Sequence, residues 1–305
     1  MCVCEAIIQV HRRNHKGTIL VCAPSDAACD VLATRLIPHL PQKSLLRINW
    51  WSRKVASVKP ELLPFCPMDQ TGVFTVPTLE RLHGARVIVC QCFVAACLEL
   101  VVPKERLRND YFSHLFIDEC NLAMECESLV PIMIVGSKTS LVLAGDTKQL
   151  SPVIRDPAAA AMGLGLSLQE RLLKFPLYSD GAYCTSTRLI NNYRSNEALL
   201  TVPSSLFYDA KLQAMAVQEV ANPFEHLGDL GEAGFPLLLC DVSHGEERSK
   251  LDTPSFYNME ECHAISSLAH ALLGCKTKKD VPALHTGEIA VITPFRAQVL
   301  VRLHF

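Results

Sequence analysis

Apolar and polar positions follow two rhythms along the 305 residues. Short β-prone apolar runs at 18–23, 86–90, 114–117 and 140–144 each stop at small or polar residues, as strands do where the chain must turn. Between them lie segments with helical spacing. Ala28, Val31, Leu32 and Leu36 form one apolar face, with Ser25 and Asp26 placed to cap the helix and Pro38 to end it. Strands alternating with helices predict an α/β fold with a mostly parallel sheet, whose ligands gather at the carboxyl ends of the strands. Residues 41–83 lose the pattern and read as an insertion between core elements. A second αβ unit begins near 186, past a domain boundary near 180, with strands expected at 235–242 and 288–293. Between those strands Asn258 and Glu261 fit a capping box ahead of an apolar stripe of Cys262, Ile265, Leu268 and Leu272.

Composition narrows the classes. With 49% apolar and 20% charged residues, the chain has the material for a large core and is not a disordered or low-complexity protein. No apolar run approaches the roughly 18 to 20 residues of a membrane span. The start does not read as a signal peptide, because Glu5 interrupts the apolar run and His11, Arg12 and Arg13 follow it. The expectation is a protein of the cytoplasm without a membrane partner. Fourteen cysteines are scattered through apolar runs without any Cys-x-x-Cys, so they are expected to be reduced core thiols and not zinc ligands. A net charge of −2 neither supports nor excludes nucleic acid, since a single strand needs only a local groove.

Chemistry concentrates at two strand ends. Phe116-Ile117-Asp118-Glu119 places two adjacent carboxylates at the sheet's carboxyl edge, the arrangement in which one acid holds Mg²⁺ and the next polarises an attacking water. Taken alone, such a pair also serves simply to cap a following helix. About 25 residues on, a second strand ends in Ala144-Gly145-Asp146-Thr147-Lys148-Gln149-Leu150-Ser151-Pro152.

Together, Asp118-Glu119 and Leu143-Ala144-Gly145-Asp146-x-x-Gln149-Leu150-Ser151-Pro152 resemble motifs II and III of superfamily one helicases, and the Upf-like RNA helicases most of all. Cys22-Ala23-Pro24-Ser25-Asp26 resembles motif Ia, Asn192-Tyr193-Arg194-Ser195 the arginine motif, and Ile292-Thr293-Pro294-Phe295-Arg296-x-Gln298 a late second-domain motif. The segments 163–172, 206–208 and 254–258 resemble the Mov-ten (Armitage-type) branch, and Met124-Glu125-Cys126-Glu127 its zinc-finger relatives. Cys120-Asn121 departs from the small residues usual after Asp-Glu, and Phe295 stands where tyrosine is common.

The resemblance implies an α/β fold of P-loop NTPase type: two RecA-like domains with parallel sheets, both incomplete, over residues 1–180 and 181–305. It implies ATP and Mg²⁺ as cofactors, with Asp118 holding the metal through water and Glu119 polarising the nucleophile. Asp146, Gln149, Tyr193 and Arg194 would complete the nucleotide site, Gln149 as γ-phosphate sensor and Arg194 as an arginine finger. Pro24, Ser25, Asp26, Thr293 and Gln298 would contact single-stranded RNA. Arg47, Arg53, Lys54 and the two tryptophans either extend that groove or form a solvated face. RNA-silencing or RNA-decay proteins would be partners, and ribonucleoprotein granules a location. The family's phosphate-binding loop is expected ahead of Met1. Gly136-Ser137-Lys138-Thr139 is a poor substitute, lacking the leading glycine and entering a strand. The chain alone is therefore expected to be a weak ATPase, and a non-catalytic RNA- or partner-binding protein derived from a helicase is the alternative.

Overall fold

The computed structural model describes residues 2–14, 17–178, 185–217, 236–249, 254–274 and 285–301. They fall into two units, Met1–Thr187 and Arg188–Phe305.

In the first unit the apolar runs pair as neighbours in one parallel sheet. Its strands are β1 (Thr18–Ala23), β2 (Leu45–Ile48), β3 (Val87–Gln91), β4 (Phe112–Ile117) and β5 (Ser140–Leu143), in the order β2-β3-β1-β4-β5. Alternation along the strands sends side chains to two faces. Ile19, Val21, Val89 and Phe116 pack with Ile7 of helix α1 (Cys2–Arg13) and with Leu32 and Leu36 of helix α2 (Asp26–Leu36). Leu20, Cys22, Ile88, Cys90 and Ile117 pack on the other face against Val94 and Leu98. Burial on both faces is what makes these strands continuous apolar runs. Cys22 and Cys90 are register partners with Sγ atoms 3.9 Å apart, and burial pushes the Cys22 thiol well above its ordinary range.

The segment expected to be an insertion contributes β2, an edge strand of the sheet itself. Arg47, in the middle of it, is completely buried. Its Nε donates to Asp30 Oδ1 at 3.0 Å, its Nη2 to Asp26 Oδ1 at 2.7 Å and its Nη1 to the Ile48 carbonyl at 2.6 Å. Arg53 closes the network, with Nη2 2.5 Å from Asp30 Oδ2 and Nη1 2.7 Å from Asn49 Oδ1. Arg47 and Arg53 are thus not the lining of an RNA groove or a solvated face. They bind the β2 edge to the first turn of α2, and local pattern misses this because a buried arginine looks like a surface one until its carboxylate partners are located. Burial works against the Asp30 carboxylate, yet the Arg53 hydrogen bond and the charge of Arg47 outweigh it and hold its pKa below the ordinary range. Arg47→Ala leaves two acids facing a cavity and is expected to cost about 3–5 kcal/mol, as loss of one member of a buried pair does. Urea unfolding followed by far-UV circular dichroism measures this, and a cost under about 1 kcal/mol would show that water reaches the acids and solvates them.

In the second unit the helix Glu197–Phe207 starts at Asn196, whose side chain accepts from the Ala198 amide, and the two-residue strand β6 (Asn191–Asn192) runs parallel to β7 (Gln213–Ala214). The helix Met259–Gly274 is capped by Asn258 Oδ1, which accepts from the amides of Glu260 and Glu261 at 3.0 and 3.2 Å. Of the expected apolar stripe, Cys262 is buried and Ile265, Leu268 and Leu272 are half-buried. The strands expected at 235–242 and 288–293 are not formed: 236–242 and 289–293 are irregular and open, with Leu239 93% and Ile292 92% exposed. Residue 235 lies outside the described residues. Neither run has a neighbouring strand among the described residues, and a β-prone sequence without a ladder to join does not become a strand.

Candidate nucleotide site at the carboxyl edge

From β1 the chain moves to one side of the sheet to form β3 and β2, then crosses to the other side for β4 and β5. The loops after β1 and β4 therefore diverge, and the crevice between them is where open parallel sheets bind ligands. Asp118 and Glu119 leave β4 at this point, with the Asp118 amide donating to the Cys22 carbonyl at 2.8 Å. Burial raises the Asp118 pKa above the ordinary range, only partly offset by the Glu119 amide. Glu119 is raised as well, by burial first and then by the charges of Asp118 and Asp146. Among the described residues neither Asp118 nor Glu119 has an ion pair. Glu119 also holds a left-handed backbone, φ 52° and ψ 35°.

The loop after β5 is fastened to the same turn. The Cys120 amide donates to the Ala144 carbonyl at 2.9 Å. Buried Asn121 accepts from the Asp146 amide at 3.1 Å and donates through Nδ2 to the Leu150 carbonyl at 3.0 Å, so one side chain grips both ends of the Gly145–Leu150 loop. Gln169 Nε2 donates to the Gly145 carbonyl at 3.1 Å from the far side. A Cβ at Gly145 would lie 2.4 Å from Asn121 Oδ1 and 2.5 Å from Gln169 Oε1, and only glycine allows this close approach. The helix Leu168–Leu173 that carries Gln169 is held by Arg171, whose Nε and Nη2 both lie 2.7 Å from the Glu125 carboxylate. Sequence reasoning read Asn121 only as a departure from a pattern, and a polar residue second after Asp-Glu was the one available signal. Within the loop, Gln149 Nε2 donates to Asp146 Oδ2 at 2.8 Å and remains exposed.

The other expected positions are placed as follows. Ser25 is the N-cap of α2, its Oγ accepting from the Ala28 amide at 3.2 Å, and Pro24 precedes it at the end of β1. Asp26 is committed to Arg47. This pair anchors the helix that presents Ser25. In the second unit Asn192 Oδ1 accepts from the Arg194 and Ser195 amides at 2.9 and 2.8 Å, a turn that leaves the Arg194 side chain exposed, and Tyr193 is 71% exposed. Thr293 Oγ1 accepts from the Phe295 amide at 3.3 Å. Gln298 spends both ends of its amide on the start of the helix Met259–Gly274: Oε1 accepts from the Asn258 amide at 2.7 Å, and Nε2 donates to the Asn258 carbonyl at 3.1 Å. In this arrangement it braces a helix.

The donor set suits a hard divalent cation: carboxylate oxygens without a cationic partner, with pKa values raised by burial and, at Glu119, also by the neighbouring carboxylates, a cost that a metal would relieve. Among the described residues no group of three or more His, Cys, Asp or Glu side chains stands ready to hold a metal unaided. Mg²⁺ would therefore be held by Asp118 through water, together with phosphate oxygens, the usual manner for this ion.

A parallel sheet with an Asp-Glu pair at its switch point and a clamped loop on the next strand defines a RecA-like core. Two family models, each described as an AAA domain, match residues 78–156 and 164–302. The chain belongs to the superfamily one, Upf-like helicases. It is 36% identical to MOV-10 of Gallus gallus over 97% of its own length and 32% of that protein. It is 33% identical to the RNA helicase Mov10l1 of Mus musculus, over 97% of this chain and 25% of the other. It is 30% identical to the helicase with zinc finger domain of Homo sapiens, over 94% and 14%. The chain spans about a third or less of these relatives. Among solved structures, that of the PRRSV helicase covers 70% of this chain and 33% of its own, at 13% identity and a TM-score of 0.37.

Proposed function

We propose that the chain is part of the motor of an ATP-dependent RNA helicase, whose activity is RNA unwinding or ribonucleoprotein remodelling. The observation that carries this reading is the clamped junction of two strand ends, where Asp118 and Glu119 stand unpaired beside a loop whose Gln149 is bonded to Asp146. ATP with its Mg²⁺ supplies a phosphoryl group whose transfer spreads negative charge over the equatorial oxygens. Asp118 holds the metal's waters, and Glu119, with its raised affinity for protons, takes one from the attacking water. Gln149, released from Asp146, senses the γ-phosphate, and the junction built by Asn121 passes its position to the end of β4. Arg194 would neutralise charge on the transferring group, and Tyr193 would flank the base or sugar. The amides at the start of α2, beside Pro24 and Ser25, take an RNA phosphate. Support for the RNA substrate comes from the similarity to the mouse RNA helicase Mov10l1. RNA-silencing or RNA-decay factors are the proposed partners and the cytoplasm the proposed location.

The protein expressed from its complete coding sequence should hydrolyse ATP faster when single-stranded RNA is added. RNA binding without any turnover would replace this reading with that of a non-catalytic RNA-binding protein.

A further inference from the structure

Beyond the nucleotide side, the same carboxyl edge carries a feature that no motif explains. β2 ends at Ile48, β3 at Gln91 and β1 at Ala23, and Trp50, Phe93 and Ser25 each stand two residues further on. β2, β3 and β1 are neighbours, and with strands about 4.8 Å apart these positions form a row some 10 Å long beside the crevice. Trp50 is half-buried and packs on the core face beneath, with its ring 5.4 Å from Phe93 at 66° and 5.9 Å from Trp51 at 43°. The outer two rings are open, Trp51 62% and Phe93 42% exposed. A single exposed aromatic needs no explanation. Three grouped around Trp50, which is rooted in the core and contacts each of the two outward-turned rings, form a platform.

The platform is also held rigidly. The Arg53 amide donates to the Trp50 carbonyl at 3.1 Å, and the Arg53 guanidinium is locked to Asp30 of α2 and to Asn49. The buried network of Arg47, Arg53, Asp26 and Asp30 therefore fixes the aromatic loop and the start of α2 to each other. Lys54, exposed three residues along the chain from Trp51, adds a cation to the same loop.

We infer that Trp51 and Phe93 are a stacking site for the unpaired bases of a single-stranded RNA whose backbone lies on the start of α2. This rests on the RNA reading above and deepens it. Flat π faces accept any base, an adjacent cation and helix amides take the phosphates, and such platforms are tolerant of sequence. A protein partner would use the same rings without regard to unpaired bases.

Trp50 and Trp51 are the only two tryptophans of the chain, so its indole emission reports on this one place. The 305-residue protein is titrated with a labelled uridine dodecamer, reading label anisotropy for binding and indole emission for stacking. The expected result is binding with quenching, no quenching by the same strand annealed to its complement, and a weakening of about 5- to 150-fold in Trp51→Ala, the range of one stacked base. Trp51→Phe should recover most of the loss. Trp51 is exposed enough for its removal to spare the fold, and Phe93→Leu provides an independent second variant. Binding with unchanged emission and with Trp51→Ala within twofold of the parent overturns the platform and leaves the RNA reading standing. Equal quenching by duplex and single strand overturns stacking in favour of a nearby phosphate contact. No anisotropy change at all removes the RNA reading and the platform with it.

Discussion

Arg194→Ala lowers RNA-stimulated ATP turnover by about 10³-fold or more in the protein expressed from its complete coding sequence, the effect expected when a guanidinium that meets the transferring phosphoryl group is removed. The geometry supports this over a surface salt bridge. Asn192 Oδ1 captures the backbone amides of Arg194 and Ser195, which fixes the main chain while leaving the side chain exposed. Among the described residues Arg194 has no ion pair. Arg194→Lys should recover little, because an ammonium cannot match the planar fork of a guanidinium on phosphate oxygens. The steady-state turnover number with saturating ATP and RNA decides it, and a decrease of only a few-fold would assign Arg194 to the surface.

Glu119→Gln is the second large effect. The substitution keeps the shape of the side chain and removes its ability to take a proton, so turnover is expected to fall by about 10²–10⁴-fold while ATP still binds. Burial raises the proton affinity of Glu119, and the charges of Asp118 and Asp146 raise it further, the direction that suits a general base. Fluorescent nucleotide binding and phosphate release measured on the same preparation separate the two steps. Turnover within twofold of the parent would take Glu119 out of the mechanism.

The sheet was largely legible because its signal is local. The runs 18–23, 114–117 and 140–144 are mostly apolar, and β1, β4 and β5 lie within two residues of them. Asp118 and Glu119 were legible for the same reason, since a strand's end can be read from where its apolar run stops. What was not legible depended on partners distant in sequence. Arg47 looked like one of several surface cations until Asp26 and Asp30, about 20 residues earlier, were found beside it. The runs 235–242 and 288–293 have strand composition, but strand formation depends on a neighbour that composition does not show. Gln298 fitted a motif, yet its amide is spent on Asn258, a contact 40 residues away. Asn121 was noticed only as an unexpected residue, and its grip on both ends of the next loop required coordinates.

The left-handed turn at Glu119 sets stability against chemistry at a single position. An L-residue with a long side chain holds that conformation at a cost of about 1–2 kcal/mol, and glycine holds it at almost none. Glu119→Gly should therefore raise the unfolding free energy by about 1 kcal/mol while abolishing the proton acceptor, and a drop in stability would show that the carboxylate supports the fold. A search for sturdier variants would be drawn to this site, and each gain there would come from a chain less able to activate water.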